Sequence, residues 1–238
     1  MKKSVFIVFF LIGINLVFSQ NTKEFMYKSD AFFKMYVVNG KLRYEAIKNN
    51  KEDLLVLKNM ISTLSVSKSN TLEYQAFWIN AYNISVIDGV VANYPLKSPL
   101  DVGGFFDKIT YTISGKNITL NDIENKKLRA EFPKEARFHF VLVCAGLGCP
   151  PIINGAYMPS KLNSQLTQQT KKALNNPSFI VVEKDKVKIS QLFEWYKKDF
   201  TQNNTSLIDF INTYKTEKLP ENAKISYYPY DWNLNDIK

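Results

Sequence analysis

Apolar residues recur at helical spacing over two early stretches, Lys23 to Val38 and Glu52 to Leu64, which predicts two amphipathic helices. Leu72 to Val91 carries the strongest helical pattern and is bounded by Asn93 and Pro95. Ile109 to Ile113 and Lys116 to Thr119 read as the arms of a hairpin around Ser114-Gly115. Asn121 to Arg129 predicts a short helix, with Asp122 and Glu124 in the first turn where they favour the helix dipole. Arg137 to Cys144 is a continuous apolar run with β-branched residues and predicts a buried strand. Pro159 to Asn175 reads as a helix with proline near its start. Phe179 to Glu183 and Val187 to Ile189 flank Lys184-Asp185 as a second hairpin. Ser190 is the expected cap of a helix to about Phe200, and Thr205 that of another to Tyr214. The aromatic tail from Ile225 to Trp232 is expected to pack onto the body.

Helices dominate this pattern and the strands pair with near neighbours. The expected fold is α+β: a predominantly helical single domain, residues 20–238, around a small, mainly antiparallel β-sheet. Composition agrees with a globular chain, at 45% apolar and 14% aromatic residues in 238. No repeat, low-complexity segment or linker interrupts it. The first residues differ. Lys2 and Lys3 precede an apolar run from Val5 to Ile14, no charge follows until Lys23, and Val17 and Ser19 stand at the cleavage positions before Gln20. This predicts a signal peptide over 1–19 and a periplasmic or secreted protein. The alternative, an uncleaved anchor, is disfavoured by Gly13 and Asn15, and no cysteine lies nearby to carry a lipid. No integral membrane segment is expected after cleavage.

The formal charge is +9, and loss of Lys2 and Lys3 leaves 29 basic against 22 acidic residues, +7. The basic residues are scattered doublets such as Lys126-Lys127, Lys171-Lys172 and Lys197-Lys198. That is a solvated surface, with a patch for acidic glycan or lipid head groups as the minority reading. No run or motif points to nucleic acid.

The chain has one histidine, His139, so a multi-histidine zinc site is excluded and any nucleophile–histidine pair must use it. It reads either as a base or acid near neutral pH or as a satisfied core residue. Cys144 and Cys149 are the two cysteines. On a strand, Cys144 would lie about 16 Å from His139 on the opposite face, which leaves Cys149, beyond Gly146 and Gly148, as the candidate nucleophile. The same pair also reads as a structural disulfide, since an even count suits an oxidising compartment. Free structural thiols are the third option. Asn80 and Asn83 share a helix face inside an apolar segment. They read either as groups orienting a ligand or the imidazole, or as amides binding a loop backbone. Glu124 reads as a partner of Arg129 or as a carboxylate offered to a site. Asp88, Asp199 and Asp231 give no spacing that brings two carboxylates together. No cofactor or metal motif is present.

Five segments together are similar to one family, the domain of unknown function family 547: "FWINAYN" (Phe77 to Asn83), "DIENKKLR" (Asp122 to Arg129), "HFVLVCAGLGCPP" (His139 to Pro151), "LFEWYKKDF" (Leu192 to Phe200) and "YPYDW" (Tyr228 to Trp232). Trp78, Trp195 and Trp232, all the tryptophans of the chain, lie within them. The resemblance implies an often exported bacterial domain, carried behind a coiled coil in plant relatives, with no activity attached. Many relatives have histidine where this chain has Asn125, so chemistry needing that imidazole is absent here. Two functions follow from the residues. One is a Cys–His hydrolase or acyltransferase acting on an amide or ester, with Cys149 as nucleophile, His139 as base and Asn80, Asn83 or Glu124 assisting. The other is a non-catalytic envelope domain binding a peptide, glycan or small molecule, its Cys144–Cys149 bridge structural.

Overall fold

The computed structural model describes residues 21–183 and 186–237. The signal peptide expected over 1–19 lies outside these residues, as does the Lys184-Asp185 turn.

Residues 21–36 are helical (α1) and bury Phe25, Met26, Phe32, Phe33 and Tyr36 along one stripe. A two-residue hairpin follows, β1 (Val37–Val38) with β2 (Lys41–Leu42), then α2 (Tyr44–Asn49) and α3 (Glu52–Thr63). The central element is α4 (Thr71–Asn93), capped by the Asn70 side chain, which accepts from the Glu73 N–H. Its residues are buried on nearly every side from Tyr74 to Val91, as an all-round apolar helix requires. Burying one such Phe or Ile contributes about 2 kcal/mol.

The hairpin around Ser114-Gly115 forms as expected, β3 (Thr110–Ile113) against β4 (Lys116–Thr119), with Tyr111 opposite Ile118. Both turn residues have positive φ, 52° and 71°, the geometry whose twist matches the flanking strands. Next come α5 (Leu120–Asp122), which runs into a π-helical turn at Ile123–Arg129, a 3-10 turn at Ala136–Phe140, and α6 (Leu162–Leu174). The last third holds β5 (Ile180–Glu183), β6 (Lys186–Ser190), α7 (Leu192–Trp195), α8 (Lys197–Phe200), α9 (Leu207–Tyr214) and β7 (Lys224–Tyr228). The architecture is α+β and mainly helical. Its strands are spread over three small sheets rather than one, and β6 pairs antiparallel with β5 but parallel with β7.

The predicted strand from Arg137 to Cys144 does not form. Its first part is the 3-10 turn, and the rest continues as a turn at Val141, a bend at Leu142 and irregular chain that belongs to no strand. The Asn83 amide takes the place of a neighbouring strand. Its Nδ2 donates to Val141 O at 3.0 Å and its Oδ1 accepts from Val143 N at 2.9 Å. A short apolar run reads the same whether its backbone is satisfied by a strand or by a side chain. Three smaller corrections follow. The helix expected from Ser190 breaks at Tyr196 (φ −107°, ψ 24°) into α7 and α8. The cap of α9 is Ser206 rather than Thr205, in a reciprocal box with Asp209. The hairpin β1–β2 and helix α2 were not anticipated.

The buried side chains form two clusters. One surrounds α4, and the other packs Phe140, Phe179, Phe193 and Phe200 beneath the last sheet. The 3-10 turn straddles them, with Phe138 in the first and Phe140 in the second, so His139 lies at the seam. Cys149 packs against both. The tail holds the Cys149 loop in place: Leu147 N donates to Asn233 O at 2.7 Å, Gly148 N to Asp231 O at 2.7 Å, and Asn235 N to Ala145 O at 2.8 Å. Gly148 is required at this approach, because a Cβ there would sit 2.8 Å from Asp231 N.

Candidate functional site

His139 is buried, and its Nε2 lies 2.7 Å from Oδ2 of Asp199 in α8. Arg129, at the end of the π-helical turn, clamps the same carboxylate from the other side. Its Nε donates to Oδ2 at 2.7 Å and its Nη2 to Oδ1 at 3.1 Å. Its Nη1 donates to Asn125 Oδ1, so this asparagine helps to hold the arginine. Burial pushes Asp199 up, but the hydrogen bonds and charges of His139 and Arg129 outweigh it and hold the carboxyl well below the usual carboxylate range. Tyr196, turned out by the break between α7 and α8, packs on both partners. Its ring centroid is 4.0 Å from that of His139, and the Arg129 guanidinium lies 4.9 Å from it.

With Nε2 committed to Asp199, Nδ1 of His139 makes no hydrogen bond among the described residues. His139 lines a cavity of about 60 Å³ together with Glu124, Cys144, Cys149, Tyr82 and Tyr230. The two sulfurs are joined in a disulfide, with their Cα atoms 6.3 Å apart. Two polar groups face them. Cys144 N donates to Cys149 Sγ at 2.9 Å, and the Tyr230 hydroxyl lies 2.9 Å from each sulfur. Burial first, then neighbouring Tyr196 and Glu124, pushes the Tyr230 phenol far up, so it is a proton donor at all ordinary pH. The Glu124 Oε1 is buried with no hydrogen-bond partner among the described residues. Trp195, Trp232 and Tyr230 stack at the mouth, with centroids 4.8 to 6.1 Å apart, and Trp195 is half exposed.

Of the residues singled out by sequence, His139, Cys149 and Glu124 meet in this cavity. Cys144 meets them too, because without a strand the opposite-face argument against it has no basis. Asn80 and Asn83 do not line it. Both are fully buried and bind backbone: Asn80 Nδ2 donates to Tyr157 O at 2.8 Å and its Oδ1 accepts from Tyr157 N at 3.0 Å, while Asn83 holds Val141 and Val143. The group that orients the imidazole is Asp199, which sequence spacing could not select. Arg129 pairs with Asp199 and not with Glu124. A signal for the missed residues was present, since every residue lining the cavity falls within the five family-like segments. Among the described residues no group of three or more His, Cys, Asp and Glu could hold a metal ion, and no helix is long and apolar enough to cross a membrane.

The fold and site define an α+β domain with a Cys–Cys, His and Asp cluster buried where two cores meet. Residues 66–173 match the family described as "Protein of unknown function, DUF547". Three of the five segments lie inside the match, while "LFEWYKKDF" and "YPYDW" lie beyond it. No curated protein and no solved structure matches the chain.

Proposed function

We propose that the reduced form is a thiol-dependent hydrolase or acyltransferase of an amide or ester, with Cys149 as nucleophile, His139 as base and Asp199 as the residue that orients the ring. The observation that carries this reading is the imidazole held through Nε2 by a clamped carboxylate while it lines one cavity with both sulfurs. A thiol nucleophile needs a base fixed by a third group. Cys149 is favoured over Cys144 because two donors, Cys144 N–H and Tyr230 O–H, face its sulfur, and donors favour a thiolate.

An external dithiol first reduces the bridge and is itself oxidised to its disulfide. His139 Nδ1 then takes the Cys149 thiol proton and the sulfur bonds to the carbonyl carbon. The C–N or C–O bond breaks, and the imidazolium returns the proton to the leaving group. Water or an acceptor amine or alcohol attacks the thioester, His139 takes its proton, and the S–C bond breaks as the thiolate regains it. A cavity of about 60 Å³ is far below the roughly 300 Å³ of pockets that enclose a ligand. The substrate therefore presents a narrow reacting group past Trp195.

The test is mass spectrometry of the reduced protein treated with p-nitrophenyl acetate. An acetyl group on Cys149 is expected, weakened in His139→Ala. Equal ester turnover by Cys149→Ala would end the reading. A second reading rests on the closed bridge: a non-catalytic envelope domain whose disulfide and aromatic mouth are structural, and whose surface binds a peptide or glycan. It gains if the native bridge resists dithiols that the folded chain withstands.

A further inference from the structure

Another cleft lies elsewhere, between α1, the loop 152–158 and α6, and it measures about 590 Å³. We propose that this cleft binds an acidic, hydroxyl-rich ligand, an oligosaccharide bearing carboxylates.

Its walls are preformed. Asp30 in α1 accepts from Ala156 N at 3.1 Å, and Gln165 in α6 accepts from Met158 N and donates to Ala156 O, each at 2.8 Å. Gly155 lets the loop pass this close, since a Cβ there would lie 2.9 Å from Asp30 Oδ1. A loop pinned from two helices costs little further ordering when a ligand arrives.

Gln169 is the informative residue. It sits on the inward stripe of α6 between Leu166 and Ala173, is only 7% exposed, and lines the cleft. Its side-chain amide makes no hydrogen bond among the described residues. Its oxygen and nitrogen are not among the buried unpaired atoms, so they open onto the cleft, where they can meet a ligand as both donor and acceptor. That dual capacity suits hydroxyl groups.

The charge selects the rest. Asp30 is already paired with Lys34 at 2.7 Å. Lys161 and Lys172, also on the cleft, form no ion pair among the described residues, so the site is net positive. Tyr27 lies at the edge with 69% of its surface exposed, a flat apolar platform of the kind on which a sugar ring packs. One free amide, two free ammonium groups and an exposed ring together match an acidic sugar better than an apolar ligand or a neutral one. None of these residues lines the His139 cavity, so the inference stands whether or not the thiol chemistry does.

Calorimetric titration of the full chain with an oligogalacturonate, a neutral cello-oligosaccharide of equal length and an oligoglutamate is the test. Binding of the oligogalacturonate, at least about tenfold tighter than the other two and weakened by salt, is expected. Gln169→Ala should lose about tenfold, the net worth of one or two neutral hydrogen bonds. Lys161→Ala, at an exposed position that cannot unfold the chain, should lose a similar factor. No binding, binding unchanged in both variants, or equally tight oligoglutamate binding would overturn the assignment.

Discussion

Nε2 of His139 stands 2.7 Å from Oδ2 of Asp199, 60 residues away in the chain, and the same oxygen accepts from Arg129. The pair joins the 3-10 turn to α8 across the seam of the two cores. It fixes which ring nitrogen is left toward the cavity, and it makes Asp199 the side chain whose loss should separate stability from reactivity.

Asp199→Asn keeps the volume and removes the charge. It should destabilise the fold by about 2 kcal/mol at pH 7, in the range of hydrogen bonds to charged groups, as read by urea unfolding. The native carboxyl is held well below its ordinary range, so in the wild type its contribution is present above the unfolded-state value of about 3.9 and is lost as pH falls through the folded value. The two proteins should therefore converge in stability as the pH drops below about 3.9. A gap that stays constant into acid would show that the charge is not its source.

Asn83→Ala should cost about 3 kcal/mol, because it strands both Val141 O and Val143 N in the core. Asn80→Ala should behave alike through Tyr157. Reduced Asn83→Ala should also alkylate Cys144 and Cys149 faster, since the segment leading to them loses its anchor. Thermal unfolding and timed labelling report the two effects. Wild-type stability in both variants would mean that the amides orient something other than backbone.

The untreated protein should take up no alkyl group, and the reduced, unfolded protein two, one each at Cys144 and Cys149. Opening this short loop should lower stability by about 2 kcal/mol in the chain-entropy view. Intact mass and melting with and without reductant measure both. Labelling of the untreated native chain would show the thiols to be free.

Tyr230→Phe removes the hydroxyl facing Cys149 Sγ. In the reduced protein the midpoint of the alkylation rate against pH should rise by about one unit, the value of one charge-assisted hydrogen bond. An unshifted midpoint would leave the thiolate without that donor.

Much of the frame was legible in order along the chain. The helical spacing that predicts α1, α3 and α4 depends on neighbours three and four residues apart, and the Ser114-Gly115 turn on a glycine that tolerates positive φ. The same local logic failed from Arg137 to Cys144. Composition there reports burial, whereas the partner that decides between strand and turn is an amide on α4, some 60 residues earlier. The site was half legible: a lone histidine forces any imidazole chemistry onto His139, and the two cysteines limit the nucleophile to a pair.

By itself, then, the sequence determined which residue types are available and which stretches are helical, because both depend on local chemistry. Only the tertiary structure decided that Asp199 rather than an asparagine holds the imidazole, that both sulfurs share its cavity, and that Gln169 lies unpaired in a separate cleft. Those relationships arise from packing of segments distant in the chain, and side-chain convergence of that kind leaves no spacing to be read.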